Sequence, residues 1–186
     1  NTRLFCSRIK LNNPKRNSAL LKEVNAMANK VMLNVQNLFN KKWTNLLRNY
    51  RTLEDSNYPG VYILAFAEGD LEGQSITIED IFYVGMSNSR GGVKQRLKQF
   101  IDAINKNRNH SAGNRFFQEY SKGKSFDIAG HYKTFFVASL SLPCNVRKGD
   151  RSPEDLRKMG EVAKFEYAVM ACIKDKLGKE PELNKK

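Results

Sequence analysis

The sequence predicts an α+β domain, a small three-stranded sheet flanked by helices, preceded by an N-terminal helical extension. Three observations predict it. Apolar residues at three- and four-residue spacing alternate along the chain with short β-branched and aromatic runs, and those runs are bounded by glycine and turn residues. The 186 residues are 40% hydrophobic and 27% charged, which suits one domain with an apolar core and is too apolar for a disordered chain. No stretch reaches the roughly 18 consecutive apolar residues of a membrane span, and residues 1–10 lack the unbroken apolar core of a secretory leader.

The first element is a long helix over 18–48. Leu20, Leu21, Val24, Met27, Val31, Val35, Leu38 and Leu46 form its apolar stripe, and Ser18 is placed to cap it. Asp55, Ser56, Asn57, Pro59 and Gly60 make a turn-rich joint, so residues 1–58 read as a basic helical extension and 59–186 as a second domain. Residues 60–66 read as a buried strand, 68–73 as an acidic, glycine-containing loop, and 76–85 as a second strand. Gly91 and Gly92 lead into a helix whose apolar face is Leu97, Phe100, Ile101 and Ile104. A polar loop over 105–114 precedes a short segment carrying Phe116, Phe117 and Tyr120. Residues 133–142 alternate and are aromatic or β-branched enough for a third strand. The last helix starts at Ser152 as N-cap, with Pro153, Glu154 and Asp155 in its first turn, and ends at Gly178.

The charge is strongly positive and unevenly spread. There are 32 Lys and Arg against 19 Asp and Glu, a net +13. Residues 1–59 hold 11 basic and three acidic side chains, whereas 60–82 hold five acidic and no basic ones. Such an excess favours a polyanionic partner, DNA first, with RNA equally permitted by charge alone. Cys6, Cys144 and Cys172 are too far apart for a disulfide framework or a thiolate zinc site, so they read as reduced thiols of an intracellular, cytoplasmic protein.

Five positions carry the chemistry. Gly60-Val61-Tyr62 and Tyr83-Val84-Gly85 place a tyrosine beside a glycine on two successive strands. Arg96 follows at the border of a helix's apolar face, Glu166 falls within the inward stripe of the last helix, and Asn184 lies near the end. Arg96 offers a fixed cation whose planar fork matches phosphate. A carboxylate at an inward position is costly unless paired or holding a metal. This ordered set resembles the GIY-YIG nucleases, over about residues 59–184. The resemblance implies a metal-dependent endonuclease that hydrolyses phosphodiester bonds. In it Tyr62 activates or orients the attacking water and Tyr83 helps hold the phosphate or the water. Arg96 contacts the phosphate, and Glu166 holds one divalent ion, for which Mg²⁺ is the best candidate. His110 is a further catalytic candidate. Lys94, Lys98, Arg115, Asn184, Lys41 and Lys42 are the expected nucleic-acid contacts, and Lys10, Lys15, Arg16 and Arg48 are free to follow a phosphate backbone.

Two features depart from the family's usual pattern. The tripeptides are separated by an acidic stretch, 63–82, expected to be an extended hairpin tip pointing away from nucleic acid. The chain also stops two residues after Asn184, which favours a restriction-type or other stand-alone nuclease. A homing or repair nuclease domain and a non-catalytic nucleic-acid-binding module on the same fold are the alternatives. The extension's apolar stripe must pack either on the core or on a partner subunit, the latter giving a homodimer.

Overall fold

The computed structural model describes residues 14–184. By compactness the chain divides between Lys30 and Val31. Residues 31–58 therefore share a unit with everything that follows, and the turn-rich stretch before Gly60 is a bend inside that unit. The first helix, α1, runs Pro14–Phe39. It begins before Ser18 and ends well before residue 48. A short strand β1 (Thr44–Asn45) and a single turn of helix α2 (Leu46–Asn49) replace its expected last turns. The Asn45 side chain caps α2 by accepting from the Arg48 N–H at 3.1 Å.

The reason lies in where the apolar residues go. Val35 and Leu38 pack on one face of the sheet with Phe165 and Val169, whereas Leu46 and Tyr50 pack on the other with Phe100 and Phe116. One straight helix cannot serve both faces, so the chain rounds the sheet's edge at β1. Leu20, Leu21, Val24 and Met27 lie outside the described side chains, and Cys6 and Lys10 outside the described residues.

The sheet has four strands rather than three. Strands β2 (Gly60–Glu68), β3 (Ile81–Ser87) and β4 (Lys133–Ser141) join β1 in the order β1-β4-β2-β3, with every pairing antiparallel. Alternation along β2 sends Tyr62 and Leu64 to one face and Val61, Ile63 and Ala65 to the other. Helices α3 (Gly92–Lys106) and α4 (Ser111–Glu119) cover the first face. Helix α5 (Pro153–Leu177) covers the second. The Ser152–Asp155 capping box and Gly178 in the left-handed region bound α5 as the sequence indicates. A register shift between Leu64 and Ala65 leaves Phe82 as the extra residue of a bulge, and Phe82 and Tyr83 join the same core cluster.

The acidic excursion between β2 and β3 is docked rather than free. Gly73 donates to the Trp43 carbonyl at 2.8 Å and Trp43 donates to Gln74 at 3.0 Å. Lys42 bonds Ser75, and Asn49 bonds Glu72. Among the described residues, no helix is long and apolar enough to cross a membrane.

Candidate functional site

The two glycines of the tyrosine tripeptides are fixed by close approach. A Cβ on Gly85 would lie 2.7 Å from the Tyr62 hydroxyl and 2.7 Å from a ring carbon of Tyr83. A Cβ on Gly60 would lie 2.5 Å from the Leu140 carbonyl oxygen on the neighbouring strand. The missing side chain at Gly85 makes room for the tyrosines to lie side by side, with ring centroids 6.0 Å apart, and the one at Gly60 lets β4 pack closely.

Tyr62 is fully buried, and its hydroxyl lies 3.1 Å from His110 Nε2. His110 is the N-cap of α4, where its Nδ1 accepts from the Gly113 N–H at 3.2 Å. Burial, with help from the charge of Arg96, lowers the imidazole's pKa to about 3. The ring is therefore neutral near pH 7, and because Nδ1 is an acceptor, the proton sits on Nε2. Nε2–H then donates to the Tyr62 oxygen, which leaves the Tyr62 hydrogen for its neighbour. The two phenols respond accordingly. Burial raises Tyr62 well above the ordinary range, the neighbouring Tyr83 raises it further, and the Arg96 charge offsets part of the rise. Burial, with the Glu166 charge, also raises Tyr83, and the charges of Arg96 and Arg115 offset only part of that rise. A hydrogen-bond chain thus runs from Gly113 N–H through His110 to Tyr62, with Tyr83 alongside it.

Tyr83, largely buried, is the member of the pair that reaches a cleft. It lines a cleft of about 480 Å³ with Ser111, Arg115, Glu166, Met170, Lys174 and Asn184. The cleft wraps around β3, the outer strand. Glu166, Met170 and Lys174 recur every fourth residue along one side of α5. Glu166 is half-buried and flanks the fully buried stripe of Val162, Phe165, Val169 and Ile173 rather than lying within it. Its charge acts on both tyrosines. Arg115 is half-buried, and its Nε is a buried atom with no hydrogen-bond partner among the described residues. Arg96 is held by Gln99 through a 3.1 Å bond, and its charge reaches Tyr62, Tyr83 and His110.

The structure thus brings Tyr62, Tyr83, Arg96, His110, Arg115 and Glu166 together. The other expected contacts stand apart. Asn184 touches the cleft, but its amide is committed to the backbone of β3. Oδ1 accepts from the Val84 N–H and Nδ2 donates to the Val84 carbonyl, both at 2.8 Å. Lys41 pairs with Glu54 at 3.2 Å and Lys42 with Ser75, both at the β1 side of the sheet, away from β3. Lys94 and Lys98 share α3 with Arg96, half-buried and exposed respectively, and neither lines the cleft. Sequence reasoning missed Ser111 and Lys174. The four-residue spacing from Glu166 was the available signal for Lys174.

A metal cage built wholly from protein is not present among the described residues, where no group of three or more His, Cys, Asp or Glu gathers. Two carboxylates line the cleft, Glu166 and Glu180, the latter paired with Lys174 at 3.1 Å, which suits Mg²⁺, an ion that keeps several of its waters and needs only one or two carboxylates. Neither a family model, nor a curated protein, nor a solved structure matches the chain.

Proposed function

We propose that the chain is a metal-dependent DNA endonuclease of the GIY-YIG type, acting inside the cell as a restriction-type or other stand-alone enzyme. The observation that carries this reading is the pair of adjacent tyrosines, Tyr62 bonded to His110 and Tyr83 lining a cleft shared with Glu166 and Arg115. Hydrolysis of a phosphodiester needs an oriented and deprotonated water, cations on the phosphate oxygens, and a stabilised leaving oxygen. Tyr83 Oη orients the water and accepts its proton. Neutral His110 donates to the Tyr62 oxygen, which leaves the Tyr62 hydrogen free to stabilise a phenolate at the adjacent Tyr83. Arg115 and Arg96 supply positive charge for the phosphate. Glu166 would hold the divalent ion, which when bound supplies Lewis-acid stabilisation to the phosphate oxygens. Relative to the reading from sequence, the water moves from Tyr62 to Tyr83, because the Tyr62 hydroxyl is sealed.

The test is cleavage of supercoiled plasmid with and without Mg²⁺. The wild type should nick or linearise it only with the metal. Glu166→Gln should lose cleavage while still binding DNA, since a neutral amide holds a hard cation poorly. Arg96→Ala should slow the chemical step by about 10²–10³-fold with a smaller loss of affinity. A wild-type protein that binds DNA but never cuts it would leave the binding-module reading in place. Near wild-type cutting by Glu166→Gln would remove the metal assignment.

A further inference from the structure

At one end of the sheet lies a second cavity, of about 540 Å³, lined by Asn57, Tyr58, Pro59, Arg90, Pro143, Cys144, Asn145, Val146 and Arg147. Three properties set it apart. Its lining contains two arginines and no carboxylate. Neither Arg90 nor Arg147 has an ion-pair partner among the described residues. Tyr58 is 43% exposed, and among the described residues no other ring or cation lies against it. An open aromatic face, two proline edges and two guanidinium groups match a planar base joined to an anionic phosphate.

The walls are fixed before any ligand arrives. The Tyr58 carbonyl accepts from the Val93 N–H at 3.1 Å and the Ser56 carbonyl from the Lys94 N–H at 2.7 Å, which ties the tyrosine's segment to the start of α3. Leu142 N–H bonds the Pro59 carbonyl at 2.7 Å. On the facing loop, Lys158 holds the Pro143 carbonyl at 3.1 Å and Asp155 accepts from the Asn145 N–H at 2.8 Å. The Asn145 side chain is spent on Arg147 N–H and the Asp150 carbonyl, so Asn57 is the amide left to read a base edge. The volume falls within the range of small-molecule sites, about 300–1,000 Å³.

We propose that this cavity binds a nucleotide unstacked from its neighbours, with the base on Tyr58 and the phosphate between Arg90 and Arg147. The proposal deepens the nucleic-acid reading above and rests on it. Pro59 lies three residues before Tyr62 on one extended segment, so the cavity starts about 10 Å from the catalytic tyrosines at the usual strand rise. A substrate strand crossing the cleft would place a neighbouring nucleotide here. A base within an intact duplex is already stacked, so the occupant is a single-stranded or flipped-out nucleotide.

The experiment is ultraviolet cross-linking of the full chain to a single-stranded DNA oligonucleotide carrying 5-iodouracil, with the adduct located by mass spectrometry. Affinity is measured in parallel by fluorescence anisotropy. The expected result is an adduct on Tyr58. Affinity should fall about five- to a hundredfold in Tyr58→Ala and be retained in Tyr58→Phe, which keeps the stacking face. Replacing Arg90 and Arg147 by Gln should reduce the salt slope by about 0.7 for each phosphate no longer neutralised. Adducts only at other residues, no binding of the oligonucleotide, or wild-type affinity in Tyr58→Ala would each overturn the proposal. Plasmid cleavage by the wild type is scored separately. A Tyr58 adduct on a protein that never cuts would sink the nuclease and keep the site, and the reverse pattern would keep the nuclease alone.

Discussion

Tyr62 and Tyr83 lie side by side, yet only Tyr83 lines the cleft. Tyr83→Phe should therefore lower single-turnover cleavage by about 10²–10⁴-fold, the range for losing a positioned base. Tyr62→Phe acts only through its neighbour and should cost less. Because burial raises the Tyr83 pKa, the wild-type rate should climb toward alkaline pH, and that rise should vanish in Tyr83→Phe. A larger loss in Tyr62→Phe would put the water at Tyr62 instead. His110 carries a separate pH signature, in stability. Its folded pKa is about 3, whereas a histidine in an unfolded chain titrates near about 6.5. Between those values the unfolded state binds more protons, so this contribution is complete above about pH 6.5 and is lost as pH falls toward 3. Thermal melts in steps from about pH 6.5 to 5 should show the melting temperature falling, and His110→Gln should flatten that fall. An equal slope in the variant would assign the effect to other groups. The sequence made the residue types of this site legible, together with their order. It did not reveal which hydroxyl is sealed, because that depends on the placement of α4, nor that Asn184 spends its amide on Val84.

Elements held the positions that sequence pattern could and could not reach. The strand-turn-helix starts at Gly91–Gly92 and at Ser152–Pro153 were legible because they rest on local chemistry: a positive φ at Gly92 and a capping box at Ser152. The helix over 18–48 was not, because spacing alone cannot say that Leu38 and Leu46 serve opposite faces. Strand β1 has two residues, too few for any alternation to register. Close packing of β2 on β3 yields a test at this scale. Gly85→Ala places a methyl 2.7 Å from atoms of both tyrosine rings, an overpacking that typically costs about 1–3 kcal/mol. Denaturant unfolding should show that loss, and cleavage should fall as well because the two tyrosines are displaced. An unchanged unfolding midpoint would mean that the two rings yield freely.

For the molecule as a whole, charge and sheet rims matter most. Residues 1–17 hold five basic side chains and no acidic one. Their removal should weaken DNA binding across all sequences and flatten its salt dependence, with the Mg²⁺ requirement unchanged, as titration at several salt concentrations would reveal. An unaltered slope would show that this segment does not touch DNA. The acidic stretch is anchored through Gly73, Gln74 and Ser75 to Lys42 and Trp43, on the β1 side of the sheet, while Glu79, just before β3, pairs with Lys176. The amide of Asn184 has a bearing beyond the cleft. Strand β3 ends the sheet, and an open outer strand is a template on which another chain can add itself. By occupying both polar groups of Val84, Asn184 interrupts that template at its middle. A strand adding itself along β3 would first have to displace the Asn184 amide.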